Sequence, residues 1–284
     1  VIRRRDLPAI LTILGALALG AACVLPGSDS GLRQPRPSNL PGYGIAAHRG
    51  ASATHPENTL AAFREAIRLG AHQIEMDVRA TEDGQLVVIH DASVDRTTNG
   101  RGRVSQLTLE QIRPLDAGRW KSARFRGERV PTLVEALRIM PRNIWLNLHV
   151  KGEPWVAEEV ALVLVEEDRV NQSILAVDED QARLARQIHP GLWICTMDRR
   201  LTRNAYISAA IAMKADFIQF TSLRGLPTRE EVARARSGGL RVNYCCESDP
   251  TRIAGLLALG IQFPMLDDVV GAMQAAKMLG IPPP

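Results

Sequence analysis

"GAHQIEMDVRATEDGQLVVIHD", residues 70–91, holds two short apolar runs on either side of a turn. Gln73–Val78 and Leu86–Ile89 have the length and branched side chains of strands. Only seven residues separate them, too few for the helical crossover that joins parallel neighbours. Asp83-Gly84 is a strong hairpin signal, so the second run folds back antiparallel on the first. A two-residue turn at that point sets His90 opposite Asp77.

Further strands are expected at 45–47, 144–150, 174–177, 193–196, 217–220, 241–245 and 263–266. Helical spacing lies between most of them, as in Leu60, Phe63 and Ile67 ahead of Gly70. Thr132-Leu133-Val134-Glu135 has the form of a capping box and starts a helix at Leu133. With Leu86–Ile89 set aside as a hairpin excursion after the second strand, eight strands remain. That is the number of a (β/α)8 TIM-type barrel; an open doubly wound sheet is the alternative.

A chain of 284 residues with 45% hydrophobic and 23% charged residues can build a core of ordinary size. Five arginines against two aspartates in residues 1–43 supply most of the net +4, so the rest of the chain is nearly neutral. Three tyrosines and five phenylalanines leave few bases for a stacking platform. Nucleic acid is therefore not an expected partner.

Residues 1–23 read as an export signal: Arg3-Arg4-Arg5 precedes an apolar run and then Gly20-Ala21-Ala22-Cys23. Cys23 resembles the lipidated cysteine of bacterial lipoproteins, although Gly20 stands where such sites usually have leucine. The expected location is periplasmic or at the cell surface, with membrane attachment through the N-terminus if Cys23 is lipidated. Residues 24–43, rich in Pro, Gly and Ser, form a tether, and the barrel occupies 44–284. No CxxC spacing occurs. Cys245 and Cys246 are expected to alternate between core and surface on a strand, without a disulfide.

Polar residues collect at the barrel end where strands finish, the end that carries active sites. His48 and Arg49 end the first strand, and Glu75 and Asp77 point the same way from the second. His149 and Lys151 share a face further on. Singly, each has a plain structural reading; together they have a chemical one. Two carboxylates can hold a hard divalent cation, and two histidines can act as general base and acid. Arg49 and Lys151 supply positive charge for a phosphate-like group. That set suits hydrolysis of a phosphodiester.

"AHRG" (47–50), "PENTLAAF" (56–63), the stretch 70–91, "DRTTNGRG" (95–102) and "VPTLVEAL" (130–137) resemble the glycerophosphodiester phosphodiesterase family. The resemblance is dense over residues 45–140 and fainter beyond. It implies a (β/α)8 barrel that hydrolyses glycerophosphodiesters to glycerol 3-phosphate and an alcohol with one divalent metal ion, Mg or Ca. On the matching positions, His48 and His90 are the acid/base pair, Glu75 and Asp77 metal ligands, and Arg49 and Lys151 phosphate-binding residues. Glu57 and Asn58 brace the site.

This chain departs from the family at "LNLHVKG" (146–152), where His149 replaces the usual third metal-ligand glutamate. His149 is expected to take over as ligand, which moves preference toward Mn or Zn; Glu153 is the alternative substitute. "RVNYCCESD" (241–249) and "FPMLDD" (263–268) also differ from the family's strands, with Tyr244 either a pocket wall or a core residue. His55, His72 and His189 are taken as loop or surface residues. Two rival functions stay open: a phospholipase-like enzyme that forms a cyclic phosphate, and a non-catalytic module that binds phosphate-containing ligands.

Overall fold

The computed structural model describes residues 39–197 and 202–284. The export segment, Cys23 and residues 24–38 of the tether lie outside them. Nine strands follow in order: β1 (Ala46–Ala47), β2 (Gln73–Ala80), β3 (Leu86–Val88), β4 (Trp145–Val150), β5 (Ser173–Val177), β6 (Trp193–Thr196), β7 (Phe217–Thr221), β8 (Arg241–Glu247) and β9 (Phe263–Leu266). β1 pairs in parallel with both β2 and β9, which closes eight parallel strands into a barrel. The open-sheet alternative is thereby excluded. β3 runs antiparallel along the last three residues of β2, as the short connection requires.

The register of that hairpin differs from expectation by one residue. Ala80 pairs with Leu86 and Val78 with Val88, and the Ile89 N–H donates to the Asp77 carbonyl. Thr81 N–H donates to the Gln85 carbonyl, so the loop holds three residues, Glu82-Asp83-Gly84, with Gly84 in left-handed backbone (φ 76°). Thr81 Oγ1 accepts the Gln85 N–H and favours the longer loop. His90 therefore does not stand opposite Asp77; it lies beyond the end of β3, where the chain bends away.

Helices pack outside the barrel. The capping box at Thr132 and Glu135 forms and starts the helix Leu133–Ile139 where expected. Gly70, in left-handed backbone, ends the helix Leu60–Leu69. Ile74, Met76 and Val78 of β2 and Leu146 and Leu148 of β4 face these helices in the largest apolar cluster.

Inside the barrel, alternate residues change character from bottom to mouth. On β2 and β4 the paired series runs Gln73 with Trp145, Glu75 with Asn147, and Asp77 with His149. The bottom is plugged by aromatic rings: Trp145 meets Trp193 and Phe217 edge-on, each at 5.4 Å between centroids, and Phe217 leans on Phe263. Such a plug supplies the buried area that a polar mouth cannot.

Two other expectations are corrected, and one open choice is decided. His72 is 2% exposed; its Nδ1 accepts the Ile45 N–H and its Nε2 donates to the Pro282 carbonyl. It is a buried strut, because the C-terminal segment folds over it. Tyr244 is buried in the outer apolar cluster, which decides for the core residue between its two readings. Cys245 and Cys246 are joined as a disulfide where the β8–β9 register shifts between Tyr244 and Glu247 and regular alternation ends. Among the described residues, no helix is long and apolar enough to cross a membrane.

Candidate active site

Strand alternation and pairing bring Glu75, Asp77 and His149 together: the first two are inward neighbours on β2, and His149 is the partner of Asp77 across to β4. Their ligand atoms all lie within 4.8 Å of one another. Asp77, 1% exposed, is approached from every side. Lys151 Nζ is 3.0 Å and His149 Nδ1 3.4 Å from its Oδ1, and Arg49 Nε is 3.4 Å from its Oδ2. Asn58 clamps it at two points, donating to Oδ2 at 2.8 Å and accepting the Asp77 N–H at 3.2 Å.

Arg49 and Asn58 both adopt left-handed backbone, φ 57° each, a region that side chains other than glycine seldom occupy. Hydrogen bonds hold them there. The Arg49 N–H donates to Glu75 Oε2 at 2.9 Å, and the Asn58 N–H donates to the Arg49 carbonyl. The bend aims the Arg49 guanidinium at Glu57, to which Nη1 donates at 2.8 Å. Glu57 and Asn58 thus brace the site, as expected.

Each histidine of the expected pair leans on a carboxylate through Nδ1. His48, in the turn after β1, donates to Asp267 Oδ1 at 2.7 Å, and Ser52 Oγ donates to the same oxygen. His90 donates to Asp91 Oδ1 at 2.7 Å, while Arg79 holds the His90 carbonyl. The Nε2 of His48 then faces Cys246 Sγ at 3.6 Å. Arg96 ties the two sides together, with Nε on Asp91 and both terminal nitrogens on Glu57. Sequence reasoning missed Asp91, Arg96 and Asp267 as functional positions. Asp91 and Arg96 were within reach, since they fall in the matching stretches beside His90 and in "DRTTNG". Nothing local singled out Asp267.

Electrostatics separate the groups. Burial, reinforced by the Asp77 charge, pushes the Glu75 carboxyl up to about 7. Burial would raise Asp77 too, but the His149 hydrogen bond and the charges of Lys151 and Arg49 outweigh it and hold that group well below the usual carboxylate range. His48 is raised: burial opposes its charge, yet the Asp267 hydrogen bond and Glu75 prevail. His90 is lowered, because burial outweighs Asp77 and Asp91.

The donor set fits a divalent cation. The ligand atoms of Glu75, Asp77 and His149 lie within 4.8 Å of one another, and a buried acid with its proton affinity raised beside a second carboxylate is relieved by a cation between them. Glu153 does not enter this group; it is exposed in the turn before the helix Trp155–Glu166.

Buried carboxylates ready for a cation, with cations and carboxylate-backed histidines round one barrel mouth, define a class: (β/α)8 hydrolases of phosphate esters. The pattern of the glycerophosphoryl diester phosphodiesterase family matches residues 48–216. YhdW of Bacillus subtilis is 35% identical over 225 residues, 76% of this chain and 91% of its own length. A crystal structure of glycerophosphodiester phosphodiesterase from Agrobacterium tumefaciens superposes with a TM-score of 0.71 at 28% identity, covering 82% of this chain and 99% of that one. The fold is also that of an Oleispira antarctica phosphodiesterase solved with the product sn-glycerol-3-phosphate (TM-score 0.75, 24% identity, 84% and 97% covered). The chain belongs to the glycerophosphoryl diester phosphodiesterase family, and it is a phosphoric diester hydrolase.

Proposed function

We propose that this protein hydrolyses glycerophosphodiesters to glycerol 3-phosphate and an alcohol, with one divalent metal ion held by Glu75, Asp77 and His149. Bound there, such an ion supplies charge to the phosphoryl oxygens and lowers the pKa of a bound hydroxyl. Arg49 and Lys151, both within 3.4 Å of Asp77, hold the phosphate. His90, its proton affinity lowered, takes the proton from the attacking water as general base. His48, its proton affinity raised, gives one to the leaving alcohol as general acid. The observation that carries this reading is the paired geometry of His48 with Asp267 and His90 with Asp91 around the buried carboxylates.

His149 in place of a carboxylate removes a negative charge, so Mn or Zn should serve better here than Mg or Ca. The test strips the protein of metal and restores Mg, Ca, Mn or Zn singly, with glycerophosphocholine and a generic phosphodiester as substrates. Glycerol 3-phosphate is read by phosphorus NMR. Turnover with Mn or Zn, reduced about 10²–10⁴-fold in His90→Ala, is the expected result. A cyclic phosphate in the spectrum would replace water by a substrate hydroxyl as nucleophile. Binding without turnover under any metal would make the protein a phosphate-ligand module.

Export is part of the same proposal. It is supported by Arg3-Arg4-Arg5 and the apolar residues behind them. Cell fractionation with metabolic lipid labelling, compared between the wild type and Cys23→Ser, tests both export and anchoring.

A further inference from the structure

Cys245 and Cys246 stand at the barrel mouth with no part in phosphodiester chemistry. Cys245 continues the inward series Arg241, Asn243 of β8 and belongs to the interior cluster. Cys246 is half-buried, and its Sγ lies 3.6 Å from His48 Nε2. Because His48 Nδ1 is committed to Asp267, Nε2 is the nitrogen that faces sulfur. The ligand atoms of His48, Cys245 and Cys246 all fall within 4.8 Å of one another.

Those atoms have the spacing and chemistry of a zinc centre. With Zn–S near 2.3 Å and Zn–N near 2.0–2.1 Å, tetrahedral geometry separates sulfur from nitrogen by about 3.6 Å. The Cys246–His48 distance already has that value. Two sulfurs on one ion stand about 3.8 Å apart, which the pair reaches only when the disulfide is open. Asp267 behind His48 is the carboxylate that commonly orients a metal-bound histidine.

We propose that the reduced Cys245–Cys246 pair and His48 Nε2 form a second metal site, for a thiophilic divalent ion such as Zn2+ or Cd2+, separate from the Glu75–Asp77–His149 group. A dithiol reductant opens the disulfide, giving two electrons and two protons and becoming a disulfide itself. Each thiol then releases its proton to solvent as its sulfur binds the ion. Mg2+ and Ca2+ do not compete for thiolates, so the two sites differ in donor set, and only the cysteine site loses its ligands on oxidation. Occupancy is inhibitory, since the ion takes the lone pair on which His48 carries a proton. The inhibition, though not the binding, rests on the role of His48 proposed above.

The test uses the full chain, reduced and freed of reductant under anaerobic conditions, and titrates it with Cd2+. Expected is one additional Cd2+ per chain, with thiolate-to-metal charge-transfer absorption in the ultraviolet, in the reduced wild type. The disulfide form and the double variant Cys245→Ser/Cys246→Ser, which keeps Cys23 and Cys195, should lack both. Equal cadmium uptake and absorption in reduced and disulfide wild type would overturn the proposal without reliance on any variant. In activity assays, each form is referred to its own cadmium-free rate. Cd2+ should inhibit reduced wild type at least about tenfold more potently than the disulfide form. Equal inhibition of the two would place the effect at the carboxylate site and overturn the inhibitory role.

Discussion

Asp77 is the residue on which the site converges, and its position depends on Asn58. Two hydrogen bonds from one amide side chain fix both the backbone and a carboxylate oxygen of Asp77. Removing such an orienting partner typically lowers metal affinity or activity about 10–100-fold. Asn58→Ala should therefore weaken metal binding by that amount in a calorimetric titration, while Asp77→Ala abolishes it. A second prediction concerns pH. A base that must be neutral and an acid that must be protonated give a bell-shaped profile, with the His90 limb on the acid side and the His48 limb on the alkaline side. The Asp267 charge and hydrogen bond favour protonated His48. Asp267→Asn removes that support, so the His48 pKa falls and the alkaline limb of kcat/KM moves to lower pH. An unmoved limb would show that His48 is not the acid. The residue pattern Glu75-x-Asp77 was legible because strand alternation is local; Asp267 was not, because it meets His48 only when β9 closes against β1.

At the scale of elements, the loop after β3 is held to the "PENT" turn by one side chain. Arg96 makes two hydrogen bonds to Glu57 and two to Asp91, and Asp91 in turn orients His90. Its hydrogen bonds keep Asp91 ionised well below the usual range. Lysine cannot reproduce a planar fork that serves two carboxylates. Arg96→Lys is thus expected to lower kcat about 10-fold or more with little change in thermal midpoint, and the rate assay beside a melting curve checks both. The nine strands were legible to within a few residues at each end, since apolar runs and turn residues mark them directly. The hairpin register was not. Asp-Gly suits a two-residue turn and also a three-residue loop that ends in left-handed glycine, and the Thr81 hydroxyl decides for the second.

For the whole molecule, stability and chemistry occupy opposite ends of the barrel. The bottom is closed by Trp145, Trp193, Phe217 and Phe263, while the mouth buries carboxylates and cations at a cost in solvation. Trp145→Ala should destabilise the fold by about 3–5 kcal/mol, measured by denaturant unfolding. Its specific activity per folded molecule should stay close to wild type. A loss of activity equal to the loss of stability would couple the two ends, against the usual separation in this fold. The chain's closure also explains His72: the Pro282 carbonyl reaches it from the far end of the sequence, a contact that no local pattern announces.

The sequence by itself determined the barrel and most of its site. The periods of strand and helix, the short link between β2 and β3, and the matching stretches depend only on neighbours along the chain. Tertiary structure alone decided which carboxylate backs which histidine, where His90 enters, that His72 and Tyr244 are buried, and that Cys245 and Cys246 meet beside His48. Those outcomes depend on loops and strand ends whose partners are distant in the chain. Barrel closure brings those partners together, and local periodicity carries no record of it.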